Sequence, residues 1–209
     1  MMELVLATRN KDKIREIKNI LRGLPVKLFS VQDYPGTPEV EEDGKTLQEN
    51  AIKKAATIAR FTGKWALADD TGLEVAALDG APGVYAARFA GPDCRYIDNN
   101  RKILRLMVGL PRSRRRAQFK CVIALADPKG KTKTVLGIIN GYIGLEMKGK
   151  HGFGYDPVFV VPEYNKTFAQ LGLKTKNKIS HRALALEKMK KVLTLLACKK
   201  AAAIVASKG

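Results

Sequence analysis

The chain opens with a short apolar run, residues 3–8 (ELVLAT), of strand length. Apolar positions then move to helical spacing: Ile14, Ile17, Ile20 and Leu21 fall on one face, and Gly23 and Pro25 end that face. A second strand is predicted over 26–31, followed by a turn-rich acidic loop over 33–46. A helix is predicted from about Thr46 and closed by Gly63. Residues 64–70 (KWALADD) predict a strand and 73–78 another, with a turn between them near Gly72. A Gly/Pro-rich loop over 79–94 leads to a helix over 96–110, with Ile103, Leu104 and Met107 inward. Residues 117–144 predict a hairpin turning at Pro128-Lys129-Gly130. A Gly-rich loop over 148–158 runs into a further strand, and a long amphipathic helix follows from about His181.

Early strand–helix–strand alternation followed by a hairpin implies an α/β protein whose sheet is mixed. Such sheets place their ligands beyond strand ends, where loops gather. A length of 209 residues fits one large domain or two lobes around a shared sheet. There is no internal repeat and no low-complexity linker.

Composition narrows the function classes. No apolar run approaches the ~20 residues of a membrane span, and the start, MMELVLATRNKDK, lacks the features of a signal peptide. The three cysteines, Cys94, Cys121 and Cys198, have no metal-ligand spacing; they predict reduced, packing thiols and a cytoplasmic protein. The formal net charge of +18 is unevenly spread. Residues 1–100 carry 14 Lys/Arg against 15 Asp/Glu, and residues 101–209 carry 24 against 5. A basic half of this kind suits a nucleic acid, a small polyanion such as a nucleotide, or a solvated surface. Composition does not choose among them.

Four stretches carry candidate chemistry. In LATRNKDK a strand meets a helix whose first turn holds Lys11 and Lys13. Cations are unfavourable beside the positive end of a helix dipole. The arrangement makes sense if an anion binds there, with Thr8, Asn10 and Lys13 around it; a plain capped helix is the alternative. The acids Glu41, Glu42, Asp43, Asp69 and Asp70 lie in a loop and at a strand end. Adjacent carboxylates repel unless a cation neutralises them. Mg²⁺ suits, because it shares one or two carboxylates with waters and substrate phosphates; a solvated turn is the alternative. KHGFGYDPVF sets three glycines around Phe153 and Tyr155, as close approach and stacking on a base would need, or as a tight loop with core aromatics would. Ser180 can cap the last helix, putting His181 and Arg182 in its first turn.

The motifs add up in order. T-x-N-x-x-K, E-E-D-G-x-T before E-N-A, A-D-D-T-G-L, G-A-P-G-V-Y-A-A-R-F-A-G, F-G-Y-D-P-V-F and S-H-R resemble the inosine triphosphate pyrophosphatase (Ham1-like) family, from about Leu4 to Leu196. The resemblance implies an elongated mixed β-sheet with flanking helices, forming two lobes around a central cleft. One α/β domain is expected over 1–197 and a C-terminal tail over 198–209. It implies hydrolysis of deaminated purine nucleoside triphosphates (ITP, dITP, XTP) to the monophosphate and pyrophosphate, with Mg²⁺ as cofactor, in a homodimer. Carried over by motif, the phosphates would meet the Thr8–Lys13 segment: Thr8, Arg9, Asn10, Lys11, Asp12 and Lys13. Glu42 and Asp70 would hold the metal with Asp69 nearby; Asp70 would be the general base and Thr71 a phosphate contact. Phe153, Gly154, Tyr155 and Asp156 would wall the base and sugar, and Lys176, His181 and Arg182 would complete the base pocket.

The sequence departs from the family pattern at Arg9, a position usually small, and at Gln170, Lys174-Thr175 and Ile138-Ile139-Asn140, where acidic residues are usual. These departures make the second half more basic and leave the metal and phosphate positions intact. The rival function is a basic nucleic-acid-binding protein, motivated by that half and by the run Arg112-Ser113-Arg114-Arg115-Arg116, which lacks interleaved aromatics and is predicted to be a solvated loop.

Overall fold

The computed structural model describes residues 1–206, with side chains to residue 198. Its strands are β1 (Met2–Leu6), β2 (Val26–Ser30), β3 (Trp65–Val75), β4 (Pro82–Gly83), β5 (Arg116–Ala126), β6 (Thr132–Ile143), β7 (Phe159–Val161) and β8 (Lys166–Thr167). The helices are α1 (Lys11–Ile20), α2 (Leu47–Thr62), α3 (Tyr96–Leu106), α4 (Phe168–Ile179) and α5 (His181–Ala206). The strands make one sheet of order β2-β1-β3-β5-β6-β7-β8, with β4 paired to β3. β1 pairs in parallel with β2 and β3, while β4 and β7 pair antiparallel. The sheet is therefore mixed and carries flanking helices, as the alternation of periods implied. Residues 207–209 of the expected tail lie outside the described residues.

By packing, the chain divides into two compact units. The first comprises residues 1–70, 122–136 and 184–209. Its β1 has a parallel neighbour on each side, and Leu4, Val5 and Leu6 are all fully buried. A strand covered on both faces reads as continuous apolar sequence rather than as an alternation. α1 buries Ile17, Ile20 and the cap residue Leu21. α2 presents a stripe of Ala51, Ala55 and Ala59 at four-residue spacing, each fully buried. Its start is a capping box, with Thr46 accepting from the Glu49 N–H and Glu49 reaching back to the Thr46 N–H; its end is Gly63 at φ +64°.

The second unit comprises residues 71–121 and 137–183. Its core is aromatic: Phe119, Phe159 and Phe168 pack with Ile103, Met107, Ile143 and Val158. The Phe119–Phe159 ring centroids are 4.7 Å apart and those of Phe159–Phe168 5.4 Å.

The structure corrects four expectations. The turn expected at Gly72 is absent, and β3 runs unbroken through Asp69, Asp70, Thr71 and Gly72. Leu73 and Val75 continue the buried alternation there, so the strand persists past the acids. α4 was not expected. Its sequence is interrupted by Gly172, whose φ of +74° breaks the helical path, so no clean 3.6-residue period runs through it. The run Arg112–Arg116 is only partly solvated. Arg115 is 3% exposed, and its guanidinium donates to the carbonyls of Ile143, Met107, Leu110 and Gly144. That side chain is a buried tie between the end of α3 and the end of β6, which weakens the nucleic-acid reading of the run. Finally, the cysteines are free, but only Cys121 is buried; Cys94 is half-buried and Cys198 exposed.

Candidate functional site

In the first unit the end of β1 leads directly into α1. Asn10 is the N-cap: its Oδ1 accepts from the N–H groups of Asp12 (2.9 Å) and Lys13 (3.1 Å), while Thr8 Oγ1 accepts from the Asn10 N–H (3.2 Å). The cap itself thus satisfies two of the helix-end donors. Lys13, unfavourably placed against the dipole, has a partner within the protein: its Nζ is 3.2 Å from the Asp69 carboxylate. Asp12 pairs with Arg15, and Lys11 is exposed.

Because β3 continues through the acids, Asp69 and Asp70 point to opposite faces of the strand. Asp69 meets Lys13 of α1. Asp70 meets α2, where Lys54 Nζ is 3.0 Å from Asp70 Oδ1, 2.6 Å from Glu42 Oε1 and 2.8 Å from the Asp69 carbonyl. Asn50 completes the set. Its Nδ2 donates to Asp70 Oδ2 (3.3 Å) and its Oδ1 accepts from the Gly44 N–H (2.8 Å), tying the acidic loop to α2. Burial raises the Asp70 carboxyl above its ordinary pKa; Lys54 opposes that shift and Glu42 adds to it. Burial pulls Lys54 down, but attraction to Asp70, Glu42 and Asp69 outweighs it and raises the ammonium. Arg9 is exposed and donates to the Thr37 carbonyl at 2.9 Å. A cavity of about 190 Å³ collects Thr8, Arg9, Lys13, Glu42 and Lys54 in its lining.

Among the described residues no group of three or more His, Cys, Asp and Glu side chains is arranged to hold a metal ion. The pair Glu42 and Asp70 nevertheless converges on one cation, the Lys54 ammonium. Two carboxylates aimed at a common point fit a hard cation that takes its other ligands from water and phosphate. Asp69 forms its ion pair on the other face of β3, with Lys13.

In the second unit the loop 152–156 is folded around Asp156. Asp156 Oδ2 accepts from the Phe153 N–H (2.9 Å) and from Lys176 Nζ of α4; Lys176 and Asp156 are each 2% exposed. Gly152 has φ +80°, and a Cβ there would overlap the Asp156 carboxylate, so the turn requires glycine. The Phe153 ring has Lys176 Nζ 4.4 Å and Arg182 Cζ 5.5 Å from its centroid. Arg182, at the start of α5, is 1% exposed and donates to Thr71 Oγ1 at 3.1 Å. His181 stacks on Phe119, centroids 4.5 Å apart, and Ser180 Oγ accepts from the Ala183 N–H as the cap. Tyr155 is turned into the core: its hydroxyl donates to the Ala86 carbonyl (2.9 Å), and burial pushes its phenol pKa up. What Tyr155 has left to offer a ligand is backbone.

The predicted residues therefore gather in two sets, Thr8–Lys13 with Glu42, Asp69 and Asp70 in one unit, and Thr71, 153–156, Lys176, His181 and Arg182 in the other. Sequence reasoning gave no role to Asn50, although it is the middle residue of the E-N-A segment quoted there, and missed Lys54, three residues beyond that segment.

Similarity to known proteins covers most of the chain. The Ham1 family matches residues 4–192. A dITP/XTP pyrophosphatase of Desulforamulus reducens is 53% identical over 195 residues, covering 93% of this chain and 97% of the relative. One of Geobacter sulfurreducens is 52% identical over 190 residues, covering 91% and 96%. Among solved structures, a HAM1 protein from Coxiella burnetii superposes with a TM-score of 0.85 at 43% identity, covering 93% of this chain and 99% of that one. With a family match across nearly its whole length and relatives above half identity, the chain belongs to the Ham1 family.

Proposed function

We propose that the protein hydrolyses deaminated purine nucleoside triphosphates (dITP, ITP and XTP) to the monophosphate and pyrophosphate. The observation that carries this reading is the cavity of the first unit, where three cationic side chains, Arg9, Lys13 and Lys54, line one space with Glu42. Such a lining suits a small polyanion accompanied by a divalent cation. The relatives named dITP/XTP pyrophosphatase support the choice of substrate.

In this reading Glu42 and Asp70 hold Mg²⁺, which supplies charge neutralisation for the triphosphate when bound. Lys13 and Lys54 neutralise phosphate oxygens and the departing pyrophosphate. Asp70 accepts the proton of the attacking water. Asn50 orients that carboxylate through Oδ2. Thr71 and Arg182 contact the nucleotide beyond the reacting phosphorus. Phe153 stacks on the base, with Lys176, His181 and Arg182 around it. Donors facing the 6-oxo group accept hypoxanthine and xanthine and disfavour adenine, which has an amino group there. The resemblance also supports a homodimer and a cytoplasmic location as part of this proposal; among the described residues no helix is long and apolar enough to cross a membrane.

The test is product analysis with ITP, dITP, XTP, GTP and ATP in the presence of Mg²⁺. Pyrophosphate release from ITP, dITP and XTP well above that from ATP is expected. Orthophosphate as the product, or equal rates on ATP and ITP, would defeat the reading.

A further inference from the structure

α3 places two adjacent asparagines, Asn99 and Asn100, in the interior of the second unit, each 2% exposed. Asn99 is fully used: its Nδ2 donates to the Ala87 carbonyl (3.0 Å) and its Oδ1 accepts from the Ala90 N–H (2.7 Å). Asn100 is half used. Its Nδ2 donates to the Gly154 carbonyl at 2.9 Å, while its buried Oδ1 has no hydrogen-bond partner among the described residues. An orphaned buried oxygen is unfavourable, so the Oδ1 end of this amide adds nothing to stability. What Asn100 contributes is the donated bond to Gly154.

That bond fixes more than a carbonyl. The Gly154–Tyr155 peptide is trans, and in a planar trans peptide the N–H points opposite to the C=O. Holding the Gly154 carbonyl on α3 therefore aims the Tyr155 N–H away from α3. Gly154 sits at φ +62° with open space where a Cβ would be, so local sterics restrain this peptide little. The Tyr155 side chain is anchored separately on Ala86. Asn100 is thus a side chain that restrains the peptide's rotation.

We propose that Asn100 is a positioning residue for base selection: through the Gly154 carbonyl it orients the Tyr155 N–H as a donor to the 6-oxo group of the purine. This rests on the function proposed above and deepens it. Asn100 touches no reacting atom, so its loss acts on recognition rather than on the chemical step.

The experiment compares Asn100→Asp and Asn100→Leu with the wild-type protein on dITP and dATP, together with thermal melting. Aspartate keeps the shape and lacks the N–H donor; leucine removes the orphaned oxygen as well. Both variants should raise KM for dITP about tenfold, the scale of one well-placed hydrogen bond. kcat should stay within about twofold, dATP should change little, and the dITP preference should fall accordingly. Asn100→Leu removes the orphaned oxygen but leaves the Gly154 carbonyl without its donor, two effects that oppose each other, so it should melt within about 4 °C of the wild type. Gly154→Ala, in a site with room for the methyl group, strains the same peptide from the other side and should give the same KM effect even if an Asn100 variant does not fold. Asn99→Ala is the control for general loosening of α3: it should lower the melting temperature and leave the base preference in place. An unchanged dITP/dATP ratio in folded Asn100→Asp or in Gly154→Ala overturns the proposal, as does a kcat loss that accounts for the whole effect. Wild-type protein that does not prefer dITP would instead sink the functional reading itself.

Discussion

Lys54 Nζ stands 3.0 Å from Asp70 Oδ1, with both side chains at most one-tenth exposed, so an ammonium from α2 neutralises a buried carboxylate of β3. Removing one partner of such a pair leaves an uncompensated buried charge. Lys54→Met should therefore destabilise the metal-free protein by about 3 kcal/mol, lowering Tm by about 6–12 °C in a chain of this size. The folded pKa of Lys54 is raised above the ordinary 10.5, so its contribution is complete below 10.5 and is lost only as pH rises through the folded value. The deficit should thus be constant between pH 6 and 9. Added Mg²⁺ should restore more stability to the variant than it gives the wild type, because the variant's carboxylates lack their internal cation. Melting curves with and without Mg²⁺ check both statements, and a variant that melts like the wild type would refute the first.

Asp70→Asn keeps the shape and removes the base. Turnover should fall by roughly 10²–10⁴-fold, the contribution that general base catalysis supplies. A carboxyl whose folded pKa is raised favours the fold while protonated and loses that contribution as pH rises through the folded value. In the metal-free variant Lys54 loses Asp70 and keeps only Glu42 as a carboxylate partner at hydrogen-bond distance, so at neutral pH the variant should melt below the wild type, and the difference should shrink on acidification as the wild-type Asp70 is itself protonated. Retention of more than a tenth of wild-type turnover would remove Asp70 from the proposed role.

These two residues also mark where the sequence was legible and where it was not. Asp70 stood out because a carboxylate pair after an apolar run is chemically conspicuous. Lys54 did not, since Lys53-Lys54 in an amphipathic helix looks like part of a solvated face; only the fold of α2 against β3 tells them apart, with Lys53 going to exposed Asp43 and Lys54 into the interior. The same ambiguity hid Arg115 within a run of arginines. β1, β2, β3, β5, β6 and β7 and the helices α1, α2, α3 and α5 were legible because their apolar periods and caps are local, whereas the two-residue strands β4 and β8 are too short to carry a period. α4 was not, because Gly172 interrupts its period. The unbroken course of β3 through Asp69 and Asp70 depends on neighbours far away in sequence, which no local pattern contains.

Arg9 donates to the Thr37 carbonyl, and both residues line the cavity of the first unit. The bond is exposed and its contribution correspondingly small. Arg9→Ser should raise KM for dITP by about threefold, through loss of one cation and one tether, with Tm unchanged within about a degree. Arg9→Lys should recover part of the loss, since an ammonium keeps the charge and one donor. Steady-state kinetics at two salt concentrations check this: the defect should narrow as salt screens the exposed charge. A Ser variant identical to the wild type at low salt would show that Arg9 has no part in binding.

Gly152→Ala tests the second unit alone. At φ +80° any side chain is strained, and this Cβ would overlap the carboxylate that holds the Phe153 N–H and Lys176. The substitution should destabilise the protein by about 2 kcal/mol, or about 4–8 °C in Tm. Its larger effect should be on recognition. With Asp156 displaced, Lys176 and the Phe153 ring lose their common anchor, and KM for dITP should rise by at least tenfold, the scale of losing one or more buried charge-assisted bonds. The Mg²⁺-induced rise in Tm should persist, because Glu42, Lys54 and Asp70 belong to the first unit. If the variant lost its Mg²⁺ response and kept its KM, the assignment of metal holding to one set of residues and base recognition to the other would be wrong.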